Sequence, residues 1–256
     1  MIEPPDSLVC DLDGVLYRGD VAVEGAGEAL AVLAAAGIST IFVTNNASKA
    51  SAEAAAKIGR LTGYGAQADD VVTSAQAAVH LLADTAPPTL LFGAAGARGP
   101  LETAGIPVVD DWRAAEVVIA GLDPALSYES LTRAVMAVSA GARFIATNTD
   151  PTYPTPEGLW PGAGSLVAAV ATATGVEPEV AGKPHVAMRS LLKQRLDGAD
   201  VAVIGDRPET DLALGSVEGW TTILVLTGVT ASPDGVDPTP DHVLASIADL
   251  PALFGL

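Results

Sequence analysis

The 256-residue sequence is poor in several residue types on which common protein classes depend. A single cysteine, Cys10, excludes an intrachain disulfide and a cysteine-based zinc cluster. The 13 lysines and arginines are outnumbered by 31 aspartates and glutamates, which gives a formal net charge of -18. Because nucleic acids and anionic membranes bind basic surfaces, we expect neither as a partner. Aromatic residues make up only 4%, so the core must consist mainly of Ala, Val, Leu and Ile.

A secretory signal and a membrane span are not readable in the sequence. The first residues, MIEPPDSLVCDLDG, lack the basic region with which a signal peptide begins. The uncharged stretch 158–176 contains Pro161, so its helical part starts only near Gly162. That part is too short to span a bilayer. Hydrophobic residues make up 49%, enough for a folded core. We therefore expect a soluble, cytoplasmic protein.

Short β-branched runs alternate with Ala-rich helical patterns along the chain. The predicted strands are Leu8–Asp11, Ser39–Thr44, Val71–Thr73, Thr89–Phe92, Val117–Ala120, Arg143–Thr147, Val201–Gly205 and Thr222–Leu226. The predicted helices are Gly25–Ala36, Ser48–Leu61, Ala75–Asp84, Tyr128–Ala140, Gly162–Thr174, Pro184–Leu196 and Thr210–Glu218. This alternation indicates an α/β fold with parallel sheets and right-handed crossovers.

Two Pro- and Gly-rich stretches, 83–89 (ADTAPPT) and 175–184 (GVEPEVAGKP), interrupt this alternation. The segment between them has strands and helices of its own, so it is a candidate for a second α/β unit inserted into the first. Ordinary surface turns have the same composition, and periodicity alone leaves both interpretations open.

The motif Asp11-Leu12-Asp13-Gly14 directly follows the apolar run Ser7–Cys10. Two carboxylates at the carboxyl end of a buried strand either repel each other or share a cation, and Gly14 allows the tight turn after them. An acidic turn without any chemical role also fits this motif by itself.

A hydroxyl and two amides end a second strand. Thr44-Asn45-Asn46 follows the run Ser39–Val43, and Ser48 is expected to cap the next helix. A hydroxyl beside main-chain N–H groups near a helix start is suited to bind phosphate. Asn pairs are also frequent in ordinary turns, so this motif is weak evidence by itself.

Two further polar groups lie late in the chain. Lys183 stands in Gly182-Lys183-Pro184 just before a predicted helix, and GDRPETD places Asp206 and Asp211 after the strand Val201–Ile204. A lone lysine in such a place is usually solvated. Each of these sites occurs where a strand gives way to a loop or helix. In open α/β sheets, ligands bind at the carboxyl ends of the strands, so together these residues indicate one site.

The charge of this candidate site requires a cation. Four aspartates (Asp11, Asp13, Asp206, Asp211) and Lys183 sum to -3, which would repel a phosphate dianion. One divalent cation reduces that charge, and carboxylate and phosphate oxygens favour Mg²⁺ over metals that prefer thiolate or imidazole. If the site handles phosphate, the sequence therefore predicts Mg²⁺ as cofactor.

The ordered set DLDG, TNN, GKP and GDRPETD resembles the haloacid-dehalogenase-like (HAD) phosphohydrolases. Within that family, DGVLYRG, VTSAQAA and NTDPTYPTPEGLWPGAGSLVAA resemble the NagD-like branch (subfamily IIA), which includes phosphatases of small phosphate esters. The resemblance implies a Rossmann-like parallel-sheet core, at 1–83 and 180–256, with an inserted α/β cap domain at 84–179. It also allows a homodimer through the cap.

The resemblance also assigns roles to individual residues. Asp11 would be the nucleophile that forms an aspartyl-phosphate, and Asp13 would act as general acid and then as general base. Thr44 and Lys183 would hold phosphoryl oxygens. The groups expected to hold Mg²⁺ are the Asp11 carboxylate, the main-chain carbonyl of Asp13 and Asp206. Asp211 would bind the metal through water or orient Lys183. Asn45 and Asn46 would contact the phosphate or position the loop. Asp150, in the cap, is a further expected substrate contact.

We therefore expect a Mg²⁺-dependent phosphomonoester hydrolase of a small phosphorylated metabolite. Substrates of the sugar, glycerol, glycolate or 4-nitrophenyl phosphate type all fit. A phosphotransferase or phosphomutase with the same phospho-aspartate is an alternative, and so is a non-enzymatic receiver-like domain. The receiver-like domain is less favoured, because such a module has no need of a second acid after the nucleophile or of a cap-sized insertion.

Overall fold

The computed structural model describes residues 1–155, 157–196 and 200–256. Pro156, within the NagD-like motif, lies outside them. The strands are β1 (Ser7–Cys10), β2 (Tyr17–Arg18), β3 (Val21–Ala22), β4 (Ser39–Thr44), β5 (Val71–Thr73), β6 (Thr89–Phe92), β7 (Val117–Ala120), β8 (Arg143–Ala146), β9 (Thr152–Thr155), β10 (Gly158–Pro161), β11 (Glu179–Val180), β12 (Val201–Gly205), β13 (Thr221–Val225) and β14 (His242–Leu244). All eight predicted strands are confirmed.

The helices also follow the predicted order, with different ends. They are α1 (Ala26–Ala35), α2 (Ser51–Thr62), α3 (Ser74–His80), α4 (Arg98–Thr103), α5 (Tyr128–Ser139), α6 (Ala163–Thr174), α7 (Val186–Leu196), α8 (Ala213–Glu218) and α9 (Leu250–Leu253). A π-helical turn, Pro208–Leu212, leads into α8. Among the described helices, none combines the length and the apolar character that a membrane span requires.

Side-chain caps explain where two of the helices begin. The Thr73 side chain accepts a hydrogen bond from Gln76 N at the start of α3, and the Gln76 side chain accepts one from Thr73 N. Ser127 and Ser130 form the same reciprocal arrangement before α5. These bonds satisfy main-chain donors that have no partner within the helix.

The first of two compact units comprises Met1–Thr44, Ser51–Val72 and Leu192–Leu256. It contains most of a six-stranded sheet of order β14-β13-β12-β1-β4-β5, in which β1 pairs in parallel with β12 and β4. The central strands are buried throughout, as expected for a parallel sheet covered on both faces. Its core includes Leu8, Leu30, Phe42, Ile58 and Ile204.

The second unit comprises Asn45–Ala50 and Thr73–Leu191. Its four-stranded sheet has the order β11-β8-β7-β6, and each neighbouring pair is parallel. The core includes Phe92, Val118, Ala134, Phe144 and Val170. Strands β9 and β10 form a separate antiparallel hairpin. The predicted limits of an inserted domain, 84–179, remain a prediction.

The parallel sheet of the first unit brings three predicted site residues to one edge. Strand β1 lies between β12 and β4, and Cys10 is in register with Ile204 and Phe42. Asp11 follows β1, Thr44 ends β4, and Asp206 follows β12. The carboxyl ends of adjacent parallel strands therefore present these three side chains at the same edge.

Candidate active site

Three aspartates of the first unit form a compact acidic cluster. One carboxylate oxygen from each of Asp11, Asp206 and Asp211 lies within 4.8 Å of the others. Asp206 and Asp211 are each only 1% exposed. At such a separation two unit charges repel by about 3 kcal/mol or more if the effective dielectric constant is about 20. This donor set of hard carboxylate oxygens is suited to a divalent cation such as Mg²⁺.

The loop after β13 holds the carboxylate of Asp206. Val229 N donates to Asp206 Oδ2 at 2.6 Å, and a Cβ on Gly228 would overlap that carboxylate. Gly14, with a φ of 93°, also lies against it, and a Cβ there would also overlap it. Both positions therefore require glycine, and the Asp206 carboxylate packs closely against two main-chain segments.

The π-helical turn Pro208–Leu212 carries Asp211. Arg207 N donates to Asp211 Oδ2 at 3.1 Å. Gly205, at the end of β12, leaves room for the Asp211 carboxyl group, because a Cβ there would overlap it. Asp206 and Asp211 thus each have Oδ2 bound by a main-chain N–H, which orients both carboxylates within the cluster.

The turn after β1 places Asp13 beside a buried tyrosine. Asp13 forms an isolated β-bridge with Tyr17, and Gly14 N donates to Tyr17 O at 2.8 Å. Burial raises the pKa of the Tyr17 phenol, and the nearby Asp13 and Asp11 carboxylates raise the pKa further. The phenol therefore stays protonated. Lys57 Nζ lies 4.0 Å from the centre of the Tyr17 ring, a cation–π contact. The carboxylate cluster found among the described residues consists of Asp11, Asp206 and Asp211 and does not include the Asp13 side chain.

Asn45 and Lys183, both in the second unit, are joined by two hydrogen bonds. Lys183 N donates to Asn45 Oδ1 at 2.8 Å, and Asn45 Nδ2 donates to Lys183 O at 3.3 Å. Lys183 is only 4% exposed, so it is not the solvated surface lysine that is usual in such a place. The Asn45 side chain, which we expected at the phosphate or as a support of the loop, contacts the main chain of Lys183.

Asn46 and Ser48 form a local turn, and one prediction about them is wrong. Asn46 Oδ1 accepts hydrogen bonds from Ser48 N at 2.9 Å and from Ser48 Oγ at 2.6 Å. Helix α2 begins only at Ser51, so Ser48 does not cap it. The short Asn side chain satisfies the main chain locally and delays the start of the helix.

Asp150 lies in the loop after β8, where its main chain is fixed on both sides. Its N–H donates to Asn148 Oδ1 at 3.0 Å, and its carbonyl accepts from Gly164 N at 2.9 Å. Gly162 also packs closely against that carbonyl, where a Cβ would not fit. These contacts fix the main-chain position from which the Asp150 side chain extends.

Sequence reasoning missed Thr227, Gly228 and Val229 as parts of the site. Thr227 Oγ1 donates to the carbonyl of Gly14 at 2.6 Å, so this loop contacts both the Asp13-Gly14 turn and Asp206. The same signal that identified the other sites was present, since the motif LTGV follows a buried strand. It combines a hydroxyl with a glycine at the carboxyl end of β13.

Two family models match the chain, one of haloacid dehalogenase-like hydrolases over residues 8–107 and one of HAD-hydrolase-like proteins over residues 180–250. A D-glycerol 3-phosphate phosphatase of Mycobacterium tuberculosis is 39% identical over 239 residues, which are 92% of this chain and 67% of that protein. An acid sugar phosphatase of Staphylococcus saprophyticus is 37% identical over 228 residues, which are 88% of this chain and 87% of that protein.

The chain is also similar to solved structures. A crystal structure of a glycerol phosphate phosphatase from Mycobacterium tuberculosis in complex with magnesium matches with a TM-score of 0.88 and 36% identity. The match covers 96% of this chain and 76% of that one. From the sequence motifs and these matches together, the chain belongs to the haloacid dehalogenase-like hydrolases, within their branch of NagD-like phosphatases.

Proposed function

We propose that the protein hydrolyses phosphate monoesters of small metabolites and needs Mg²⁺ to do so. The observation that carries this proposal is the cluster of Asp11, Asp206 and Asp211 at the carboxyl ends of adjacent parallel strands. Its oxygens suit a hard cation, and the similar phosphatase structure from Mycobacterium tuberculosis was solved with magnesium.

Asp11, Asp206 and Asp211 would hold the cation through their side chains, and Asp13 would hold it through its main-chain carbonyl. When bound, the cation neutralises the carboxylates and polarises a phosphoryl oxygen. The main-chain N–H groups of Val229 and Arg207 keep Asp206 and Asp211 oriented for this role.

Asp11 and Asp13 would carry out the chemistry in two steps. A carboxylate oxygen of Asp11 attacks phosphorus, the bond from phosphorus to the leaving oxygen breaks, and the Asp13 carboxyl group protonates that oxygen. The Asp13 carboxylate then takes a proton from water while the water oxygen attacks phosphorus. The bond between Asp11 and phosphorus breaks, which releases inorganic phosphate and regenerates the Asp11 carboxylate and the protonated Asp13 carboxyl group.

Thr44 and Lys183 would stabilise the transferring phosphoryl group. The Thr44 hydroxyl donates a hydrogen bond to a phosphoryl oxygen, and the Lys183 ammonium compensates the negative charge of another. Asn45 supports Lys183 through its main chain, Asn46 shapes the turn that follows, and Asp150 contacts the leaving group. The inserted domain at 84–179 would act as the cap that excludes bulk water, and it would provide the surface of a homodimer.

The names of the relatives support the substrate class. One is named D-glycerol 3-phosphate phosphatase and the other acid sugar phosphatase, and glycerol 3-phosphate and sugar phosphates are small phosphate esters. Sugar, glycerol, glycolate and 4-nitrophenyl phosphates are therefore the first substrates to assay.

The test is a substrate panel assayed with the full-length protein, after chelation and then with added Mg²⁺. We expect release of inorganic phosphate from small esters only with Mg²⁺, and much slower release from phosphopeptides. Asp11→Asn should abolish turnover, while Asp110→Asn, at an exposed aspartate of the second unit, should not change it. Activity of Asp11→Asn equal to that of the wild type would refute the proposal, and a phosphorylated second alcohol as product would identify a transferase.

A further inference from the structure

The side chain of Asn148 links two segments to which the proposed function gives different tasks. Its Nδ2 donates to the carbonyl of Asn45 at 2.6 Å, and its Oδ1 accepts from Asp150 N at 3.0 Å. Asn148 is buried, and all three residues belong to the second unit. One amide group thus connects the residue after Thr44 with the loop that carries Asp150.

Asn45 is the point where these connections meet. Its carbonyl accepts a second hydrogen bond, from Ser74 Oγ at 2.6 Å, while its side chain bonds the main chain of Lys183. Ser74 is fully buried, and Gly182 leaves no room for a side chain beside Asn45 Oδ1. Because the network is buried and tightly packed, a displacement of one member displaces the others.

The two side chains that donate to the Asn45 carbonyl differ in the other hydrogen bonds that they make. Ser74 belongs to α3, and the one described hydrogen bond of its side chain is the bond to this carbonyl. Asn148 adds a second contact, to the main chain of Asp150, whose carbonyl is in turn held by Gly164 N. Of these two described bonds, it is the one from Asn148 that connects the Asn45 carbonyl with the Asp150 loop.

We propose that Asn148 is a positioning residue that sets leaving-group specificity by fixing the Asp150 loop relative to Asn45 and Lys183. The inference rests on the proposed function, because it takes Lys183 as a phosphate ligand and Asp150 as a leaving-group contact. Asn148 itself touches neither the phosphate nor the leaving group. It determines where Asp150 contacts the leaving group while Lys183 binds the phosphate.

The experiment compares Asn148→Ala with Ser74→Ala in the full-length protein. Each variant loses one hydrogen bond to the same carbonyl oxygen, but only Asn148→Ala also releases Asp150 N. The readout is the ratio of kcat/KM for D-glycerol 3-phosphate to kcat/KM for 4-nitrophenyl phosphate, which have a polar and an aromatic leaving group. Thermal unfolding of each variant monitors general damage to the fold.

For Asn148→Ala we expect the ratio to fall by about five- to tenfold, the effect of one lost buried hydrogen bond, mainly through a higher KM for D-glycerol 3-phosphate. Ser74→Ala should change both values of kcat/KM by the same factor. An unchanged ratio in Asn148→Ala, or an equal change of ratio in both variants, would overturn the proposal.

Asn148→Asp provides a second test if Asn148→Ala does not fold. It keeps an acceptor for Asp150 N but replaces the donor to the Asn45 carbonyl with an oxygen, so the ratio should fall here too, and an unchanged ratio would overturn the proposal. A failure of the proposed function gives a different result, because the wild type itself would then hydrolyse neither ester.

Discussion

Val229 N donates a 2.6 Å hydrogen bond to Oδ2 of Asp206, an acid that is separated from it by 23 positions in the sequence. Thr227, two residues earlier in the same loop, donates to the carbonyl of Gly14 at 2.6 Å. The loop after β13 therefore fixes both Asp206 and the turn that contains Asp13. Groups of this kind determine how well carboxylates bind a metal, although they do not bind it themselves.

Thr227→Val should weaken Mg²⁺ binding by about tenfold, because the turn of Asp13 and Gly14 loses its bond to the loop. Thr227→Ser keeps the hydroxyl and should bind Mg²⁺ almost as the wild type does. Calorimetric titration with Mg²⁺ measures this directly and does not depend on turnover.

Thr222→Val is the matched control for Thr227→Val. Thr222 is buried near the start of β13, at the other end of this strand from the loop, and its hydroxyl donates to Asp241 Oδ2 at 2.8 Å. We expect this variant to lose stability and to keep its Mg²⁺ affinity. If Thr227→Val bound Mg²⁺ as tightly as Thr222→Val, the assigned role of the loop would be wrong.

Gly228→Ala should reduce Mg²⁺ affinity more strongly than Thr227→Val. The added Cβ would overlap the Asp206 carboxylate, so this side chain would have to leave its position in the acidic cluster. Gly65→Ala is the control, since a Cβ at Gly65 meets no atom within 4 Å. Mg²⁺ titration of both variants tests this prediction, and wild-type affinity in Gly228→Ala would contradict it.

Asp241 should make stability depend on acid pH. Hydrogen bonds from Thr222 N and Thr222 Oγ1 lower the pKa of the Asp241 carboxyl group below its ordinary value of 3.8. The folded state therefore favours the carboxylate, and this contribution is fully present above that ordinary value and is lost as the pH falls through the lowered pKa. The stability difference between wild type and Asp241→Asn should be constant near neutral pH and shrink in acid. Urea unfolding at several pH values measures it, and a difference that grows in acid would contradict the prediction.

The sequence predicted eight of the ten strands that make up the two parallel sheets, because buried parallel strands are continuous apolar runs with helices between them. It did not predict the edge strands β11 and β14, which have only two and three residues and are not buried throughout. It did not predict the hairpin strands β2 and β3, β9 and β10. Tyr17–Arg18 and Val21–Ala22 have two residues each, too few for any periodicity, and Gly158–Pro161 is exposed throughout. The pairing of β2 with β3 depends on the two-residue turn at Gly19 and Asp20 rather than on a hydrophobic pattern.

The site was predictable only where its residues occur in motifs at strand ends. Asp11, Asp206 and Asp211 were predicted together, and the structure brings them within 4.8 Å of one another. The contact of Thr227 with Gly14 spans 213 positions, and that of Asn148 with Asn45 spans 103. Such contacts arise from the tertiary fold, and although Thr227 and Asn148 each follow a strand, the local sequence does not reveal their distant partners.

The most direct test of the central claim is to trap the phosphoryl group on Asp11. The protein is mixed with 4-nitrophenyl phosphate and Mg²⁺, quenched in acid during turnover, digested and analysed by mass spectrometry. We expect a phosphorylated peptide whose modified residue is Asp11, and we expect no such peptide from Asp11→Asn treated in the same way. The proposed mechanism would be contradicted if phosphate were released steadily while the phosphoryl group was found on another residue. It would also be contradicted if no phosphoryl group was found on the protein under conditions that trap acyl phosphates.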